Sequence, residues 1–198
     1  MSTTKDIKSK KISMPLFVIS FACCLVIFVT DRFVREKIEL NKQATAIKMI
    51  TTVMPIDYDN DLYNDRAVVA ELSTTVYRAR KNDRNVGIVF MPISTIGYKD
   101  TIKLSIGLAY DGTLRGVRVI EQNETAGLGD NIHQDKSDWI RNFDDRSLTN
   151  TVSSAWAVTK DQGEFDQISG ATISPRSVIN AVKNTLDFYE INRDSLYK

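Results

Sequence analysis

The stretch Ile102-Lys103-Leu104-Ser105-Ile106-Gly107-Leu108-Ala109-Tyr110-Asp111-Gly112-Thr113-Leu114-Arg115-Gly116-Val117-Arg118-Val119-Ile120 decides the fold. Ile102, Leu104, Ile106 and Leu108 recur with period two, so they share one face of a strand. Asp111-Gly112 is a hairpin turn signal, because two-residue turns need left-handed backbone that these residues tolerate. Leu114 and then Val117 and Val119, after Gly116, resume the alternation. The stretch predicts two antiparallel strands with one face buried.

Working towards the N-terminus, Val86–Met91, Thr75–Ala79 and Ala67–Leu72 are short runs rich in β-branched residues, read as three more strands. Lys81–Asn85 is a polar turn, and Pro92 to Asp100 is read as a loop. Asp57 to Asp65 is acidic and Asn-rich. Its carboxylates lack the Gly and closing Glu of a calcium loop, so it reads as a solvated surface loop. From Asp31 to Met54 the apolar residues Phe33, Val34, Ile38, Ala44, Ile47, Ile50 and Met54 fall at helical spacing, and Pro55 ends the helix.

Before that helix, Ile12 to Thr30 carry no charge. This length is close to the roughly 17–25 residues of a spanning helix. No small-residue cleavage site follows it at a usable distance, so it reads as an uncleaved signal-anchor. Lys5, Lys8, Lys10 and Lys11 precede it against Asp6 alone, which favours a cytoplasmic N-terminus. The expected organisation is an arm (1–11), a transmembrane helix (12–30), a juxtamembrane helix (31–54) and one domain (55–198). The fold class is α+β: a single N-terminal transmembrane helix followed by an extracytoplasmic antiparallel-sheet domain with packed helices.

Composition narrows the function. The chain has 198 residues, 42% hydrophobic and 26% charged, with a formal net charge of +1. These are globular values, and no basic block interleaved with aromatics suggests nucleic acid. The two cysteines, Cys23 and Cys24, lie in the apolar run, so there is no disulfide framework and no metal-binding CxxC. The residues before Cys23 lack the usual Leu of a lipoprotein box. His133 is the single histidine, which leaves no multi-histidine metal site, and its neighbours read as surface. Trp139 and Trp156 read as core.

Two stretches after the hairpin carry the chemistry. Glu121-Gln122-Asn123-Glu124-Thr125-Ala126-Gly127-Leu128-Gly129-Asp130 sets two glycines around Leu128, which permits positive φ and close backbone approach to a planar ligand. It matches no nucleotide motif. A short helix over Ser137–Phe143 and a last strand over Ala155–Lys160 follow. Asp166-Gln167-Ile168-Ser169-Gly170-Ala171-Thr172-Ile173-Ser174-Pro175 then leads into a helix whose apolar face is Val178, Ile179, Val182, Leu186 and Tyr189. Ser174 reads as its N-cap and Pro175 as its first residue. A hydroxyl-bearing turn at a helix N-terminus suits an anion, most naturally a phosphate.

On Gly97-Tyr98, Glu124–Gly129, Ser137-Asp138-Trp139 and Asp166–Thr172, behind one anchor, the chain resembles the G subunits of Rnf electron-transport complexes. The C subunits of sodium-pumping NADH:quinone oxidoreductases are similar more distantly. Both are FMN-binding domain proteins, and the resemblance runs over essentially the whole chain. Asp166–Thr172 looks like the family's flavinylation motif. Ala126 departs from the Pro usual in relatives, which removes some rigidity but no functional group.

The resemblance implies FMN joined to Thr172 by a phosphoester, attached by a separate flavin transferase that uses FAD. Ser169, Gly170 and Ala171, with Glu124, Thr125, Leu128 and Gly129, are the remaining candidate cofactor-binding residues. No metal ligand and no complete catalytic constellation is expected in this chain alone. It would serve as a subunit of an ion-translocating oxidoreductase in a bacterial inner membrane, its domain periplasmic, beside membrane-spanning and iron–sulfur subunits. The alternatives are a membrane-anchored, non-redox binding module of the same fold, and a serine hydrolase using Ser169 or Ser174. The last lacks a nucleophile elbow.

Overall fold

The computed structural model describes the backbone of residues 3–198, and their side chains except those of 3–15, 33, 35, 36, 39 and 42. A long helix, α1 (Thr3–Val53), is followed by five strands: β1 (Arg66–Val69), β2 (Thr74–Lys81), β3 (Arg84–Ile96), β4 (Thr101–Ala109) and β5 (Leu114–Glu121). Short 3-10 turns then lead to a C-terminal helix, α2 (Ile173–Leu196). The chain divides into two compact units, one up to Thr45 and one of Ala46–Lys198.

In the first unit, Leu16, Phe17, Val18, Ile19, Phe21, Leu25, Val26, Ile27, Phe28 and Val29 are all exposed. Among the described residues no helix is long and apolar enough to cross a membrane. The expected span begins at Ile12, so its first four side chains lie outside those described, as do the lysines of the arm.

In the second unit the strands form an antiparallel meander in the order β1-β2-β3-β4-β5. The period-two side chains Ile102, Leu104, Ile106 and Leu108 are fully buried on one face. The change of phase between Leu114 and Val117 has a specific cause. Leu108 pairs with Leu114 while Gly107 pairs with Gly116, so Arg115 is an extra residue and β5 is bulged there. Arg115 projects away and pairs with Asp145 at 2.9 Å. A second irregularity, between Phe90 and Ile93, contains the cis peptide Met91–Pro92. Beyond it β3 continues to Ile96, so most of the expected loop 92–100 is strand, and the loop proper is only Gly97–Asp100.

The α2 face reads as expected: Val178, Ile179, Val182, Leu186 and Tyr189 are buried against this side of the sheet. Each contributes about 1.5–3 kcal/mol by leaving water. The Tyr189 hydroxyl donates to the Tyr110 carbonyl at 2.9 Å. Trp139 and Trp156 lie in the same core, as expected, with Phe143 and Phe165 between them.

The sheet is buried on both faces, not one. On the second face Ile50, Val53 and Met54 pack with Leu62, Tyr77, Ala79, Val89 and Met91. A Cβ on Gly107 or Gly116 would run into the Val53 backbone, and one on Gly87 would meet Met54 Sδ at 2.7 Å. With no side chain at these three positions, the end of α1 lies directly on the sheet. The surface loop before β1 is also less free than expected, because Asp65 pairs with Arg80 at 2.8 Å and Arg78 at 3.3 Å.

Two further expectations are corrected. Ala155–Lys160 is not a strand: 3-10 turns occupy Ser153–Ala155 and Thr159–Asp161, with one bridge from Val158 to Phe165. Ser137–Phe143 contains a 3-10 helix at Trp139–Phe143. His133 is half-buried and its neighbour Gln134 is not idle surface. The Gln134 amide accepts from Val119 N–H at 3.2 Å and donates to its carbonyl at 3.3 Å, imitating a neighbouring strand at the edge of β5.

Candidate functional site

A cleft of about 300 Å³ opens where three segments meet: the β3–β4 loop, the loop after β5 and the start of α2. It is lined by Tyr98, Glu124, Thr125, Leu128, Gly129, Gly170, Ala171, Thr172, Ile173 and Ser174. Of the residues singled out in the sequence, Glu124, Thr125, Leu128, Gly129, Gly170, Ala171 and Thr172 come together there. Ser169 does not: it is exposed and absent from the lining. Tyr98, Ile173 and Ser174 join without having been given a place in the site. The signal for Tyr98 was present, since Gly97-Tyr98 is among the residues that carry the family resemblance.

Two turns of one design build the walls. Thr125–Leu128 closes with Leu128 N–H donating to the Thr125 carbonyl at 3.1 Å, with Gly127 at φ 75°. Ile168–Ala171 closes with Ala171 N–H donating to the Ile168 carbonyl at 3.0 Å, with Gly170 at φ 76°. A third-position Gly at positive φ is the type II pattern. The second turn is anchored from below, because Trp139 Nε1–H donates to the Asp166 carbonyl at 2.7 Å.

Helix α2 starts two residues earlier than the sequence suggests. It begins at Ile173, its N-cap is Thr172, and the Thr172 side chain makes no capping hydrogen bond. Ser174 is therefore not the cap. It lies inside the first turn, fully buried, and its hydroxyl donates to Glu124 Oε2. Pro175 still falls where an N–H has no helical acceptor, so the helix tolerates it. The result is a helix N-terminus without a side-chain cap beside an uncommitted threonine hydroxyl, both on the wall of a cleft.

Glu124 holds the three segments together. Besides the Ser174 hydroxyl it accepts the Lys99 amide at 3.1 Å and the Tyr98 amide at 3.2 Å. Burial pushes its carboxyl up, but the hydrogen bond from Ser174 and those from the Lys99, Tyr98 and Asp100 amides outweigh burial and hold it below the usual carboxylate range. The glycines nearby serve this carboxylate more than a ligand. A Cβ on Gly129 would sit 2.8 Å from both Glu124 Oε2 and Ser174 Oγ, and one on Gly97 would collide with Glu124 Oε1. The close backbone approach expected at Gly129 is thus directed at Glu124.

The arrangement suits a flavin mononucleotide. The helix start favours a phosphate, Tyr98 and Leu128 offer apolar surface, and Thr172 offers an oxygen for attachment. It does not suit a hydrolase. Ser174 faces a carboxylate, while His133 accepts the Asp135 amide and contacts Gln134. Among the described residues no group of three His, Cys, Asp or Glu could hold a metal.

Comparison with known proteins bears on the same segments. The profile of the FMN-binding domain family matches residues 97–187, which contain every residue lining the cleft. The G subunit of the ion-translocating oxidoreductase complex of Pseudoalteromonas atlantica is 40% identical over 171 residues, 82% of this chain and 80% of that one. Its counterpart from Vibrio atlanticus is 34% identical over 194 residues, 94% of this chain and 93% of that one. Among solved structures, the C subunit of the Na(+)-translocating NADH-quinone reductase from Parabacteroides distasonis aligns with a TM-score of 0.45 at 21% identity. The alignment covers 68% of this chain and 70% of that one.

Proposed function

The chain belongs to the family of G subunits of ion-translocating oxidoreductase complexes, and from that premise we propose that it carries electrons on FMN covalently attached to Thr172. It is a component of an oxidoreductase complex that couples electron transfer to ion movement. When bound, the flavin supplies the electron chemistry. The work of this chain is to hold, orient and surround it. Thr172 would supply the phosphoester oxygen, and the start of α2 would stabilise the remaining phosphate charge by about 0.3–1 kcal/mol. Tyr98, Leu128 and Ile173 would keep water from the ring.

One observation carries the attachment: Thr172 is the hydroxyl at the start of α2 that faces the cleft and caps nothing. A threonine hydroxyl is a weak nucleophile, and the partners of this cleft include no base set on Thr172. A separate flavin transferase using FAD fits that chemistry. The test is a denaturing gel of protein made beside an active transferase, viewed under ultraviolet light. Wild type gives a yellow fluorescent band and Thr172→Ala gives none. A dark wild-type band overturns the covalent reading.

The same reading sets the chain in a bacterial inner membrane as a single-pass protein, N-terminus cytoplasmic and domain periplasmic. Ten large apolar side chains exposed between Leu16 and Val29 support a lipid environment. The lysines before the uncharged run support the orientation. The partners would be membrane-spanning and iron–sulfur subunits, since this chain has no thiolate outside the anchor. Protease added outside spheroplasts should digest the domain. Protection until the cells are lysed would reverse the orientation.

A further inference from the structure

Glu124 has properties that neither its place in a loop nor the attachment of FMN explains. It is 7% exposed, yet its partners are one hydroxyl and main-chain amides, not a cation. Dipoles steady a charge without neutralising it, so the carboxylate keeps its net negative charge and its field. That field reaches the cleft, because Glu124 and Thr172 line the same cavity of about 300 Å³. A space of this volume is on the order of 8 Å across, no wider than the screening length of about 8 Å in physiological salt, and its protein walls screen less than water. Two glycines, Gly97 and Gly129, leave no room for a larger side chain beside the carboxylate.

We propose that Glu124 is the tuning residue of the flavin site, a fixed negative charge that lowers the reduction potential of flavin carried on Thr172. The proposal rests on the covalent FMN reading. Reduction adds electron density to the ring, and a nearby negative charge opposes that addition. Ser174 sets how strongly the charge is felt. Its hydroxyl hydrogen points at the carboxylate and offsets part of the field. Gln in place of Glu124 removes the charge with little change of shape. Ala in place of Ser174 leaves the charge and removes part of its compensation. The two substitutions therefore shift the potential in opposite directions, whereas a merely structural role gives no such opposition.

The experiment uses the full-length chain in detergent, loaded by an active flavin transferase. Bound flavin is titrated spectroelectrochemically at mildly alkaline pH. Relative to wild type, Glu124→Gln should raise the fraction reduced at a fixed potential. At an effective dielectric of about 20 across this cleft, the reduced-to-oxidised ratio changes on the order of tenfold. Ser174→Ala should lower it by less. Shifts of the same sign in both variants, or no shift in Glu124→Gln, overturn the proposal. Should Glu124→Gln fail to load, Ser174→Ala alone decides: a downward shift supports the proposal, and an unchanged or raised potential overturns it. A wild type that carries no flavin refutes the covalent reading first, and the inference falls with it before any variant is titrated.

Discussion

The turns Thr125–Leu128 and Ile168–Ala171 have the same backbone and different surroundings. Each closes with a hydrogen bond between its first and fourth residues and carries Gly at positive φ in third position. A Cβ on Gly127 would meet nothing within 4 Å, whereas one on Gly170 would meet Leu128 Cδ2 at 2.9 Å. Leu128, the last residue of the first turn, lies over the glycine of the second. Gly127 answers a demand of the backbone alone. Gly170 answers that demand and also makes room for the other wall of the cleft. The glycine one residue beyond the first turn, Gly129, answers a third demand, the space needed by Glu124 and Ser174. Similar glycines thus differ in what they protect, and substitution should rank them.

The largest effect is expected at Gly129→Ala. Its Cβ would press on two buried polar atoms that are bonded to each other, and neither can move without losing a partner. Overpacking of this kind costs about 1–3 kcal/mol, and here we expect about 3. Denaturant unfolding should show it, and loading of flavin should fall with it. The same junction should respond to acid. The folded Glu124 carboxyl is held below its unfolded value, so its contribution to stability is complete above the unfolded value of about 4.3 and is lost as pH falls through the folded value. Melting temperatures of wild type and Glu124→Gln should therefore differ most at neutral pH and converge on acidification. A gap that widens in acid would show that the charge is not the stabilising form.

Gly170→Ala and Gly127→Ala test the turns against each other. Each forces an L-residue into left-handed backbone, at about 1–2 kcal/mol. Gly170→Ala adds the contact with Leu128, so it should be the more costly by about 0.5 kcal/mol, a modest excess because the facing atom ends a flexible side chain. In a Leu128→Ala background the excess should vanish. A double-mutant cycle with no coupling between positions 128 and 170 would separate the two walls.

These distinctions set the limit of what the residue order makes legible. The alternation of Ile102, Leu104, Ile106 and Leu108, and the helical face Val178 to Tyr189, are periodic, so the sheet and α2 could be read directly. Periodicity also marked the bulge at Arg115, as a change of phase whose meaning needed the pairing of Gly107 with Gly116. Positive φ was expected at Gly127 and Gly129; Gly127 has it and Gly129 does not, while Gly170 has it without having been singled out for it. The burden on Gly129, Gly97, Gly107 and Gly116 was not legible. Most of it arises from residues distant in sequence: Ser174 for Gly129, Glu124 for Gly97, and Val53 for Gly107 and Gly116. For the same reason Ser174 was read as a cap. Its spacing from Pro175 is that of a cap, and the carboxylate that claims its hydroxyl lies fifty residues away.

The smallest effect is expected where the two turns differ least from ordinary surface. Ser169 holds the second position of the second turn, the place of Ala126 in the first. It is exposed, does not line the cleft, and sits three residues before Thr172. Both positions have negative φ, which alanine adopts without strain, and Ala126 occupies its own without a partner side chain. Ser169→Ala should change stability by less than about 0.5 kcal/mol. It should leave the fluorescent band as bright as in wild type. A folded but dark Ser169→Ala would move the essential hydroxyl from the cleft wall to the outer face of the turn. The attachment chemistry would then depend on what an external enzyme reads on that face, and not on the hydroxyl that the cleft encloses.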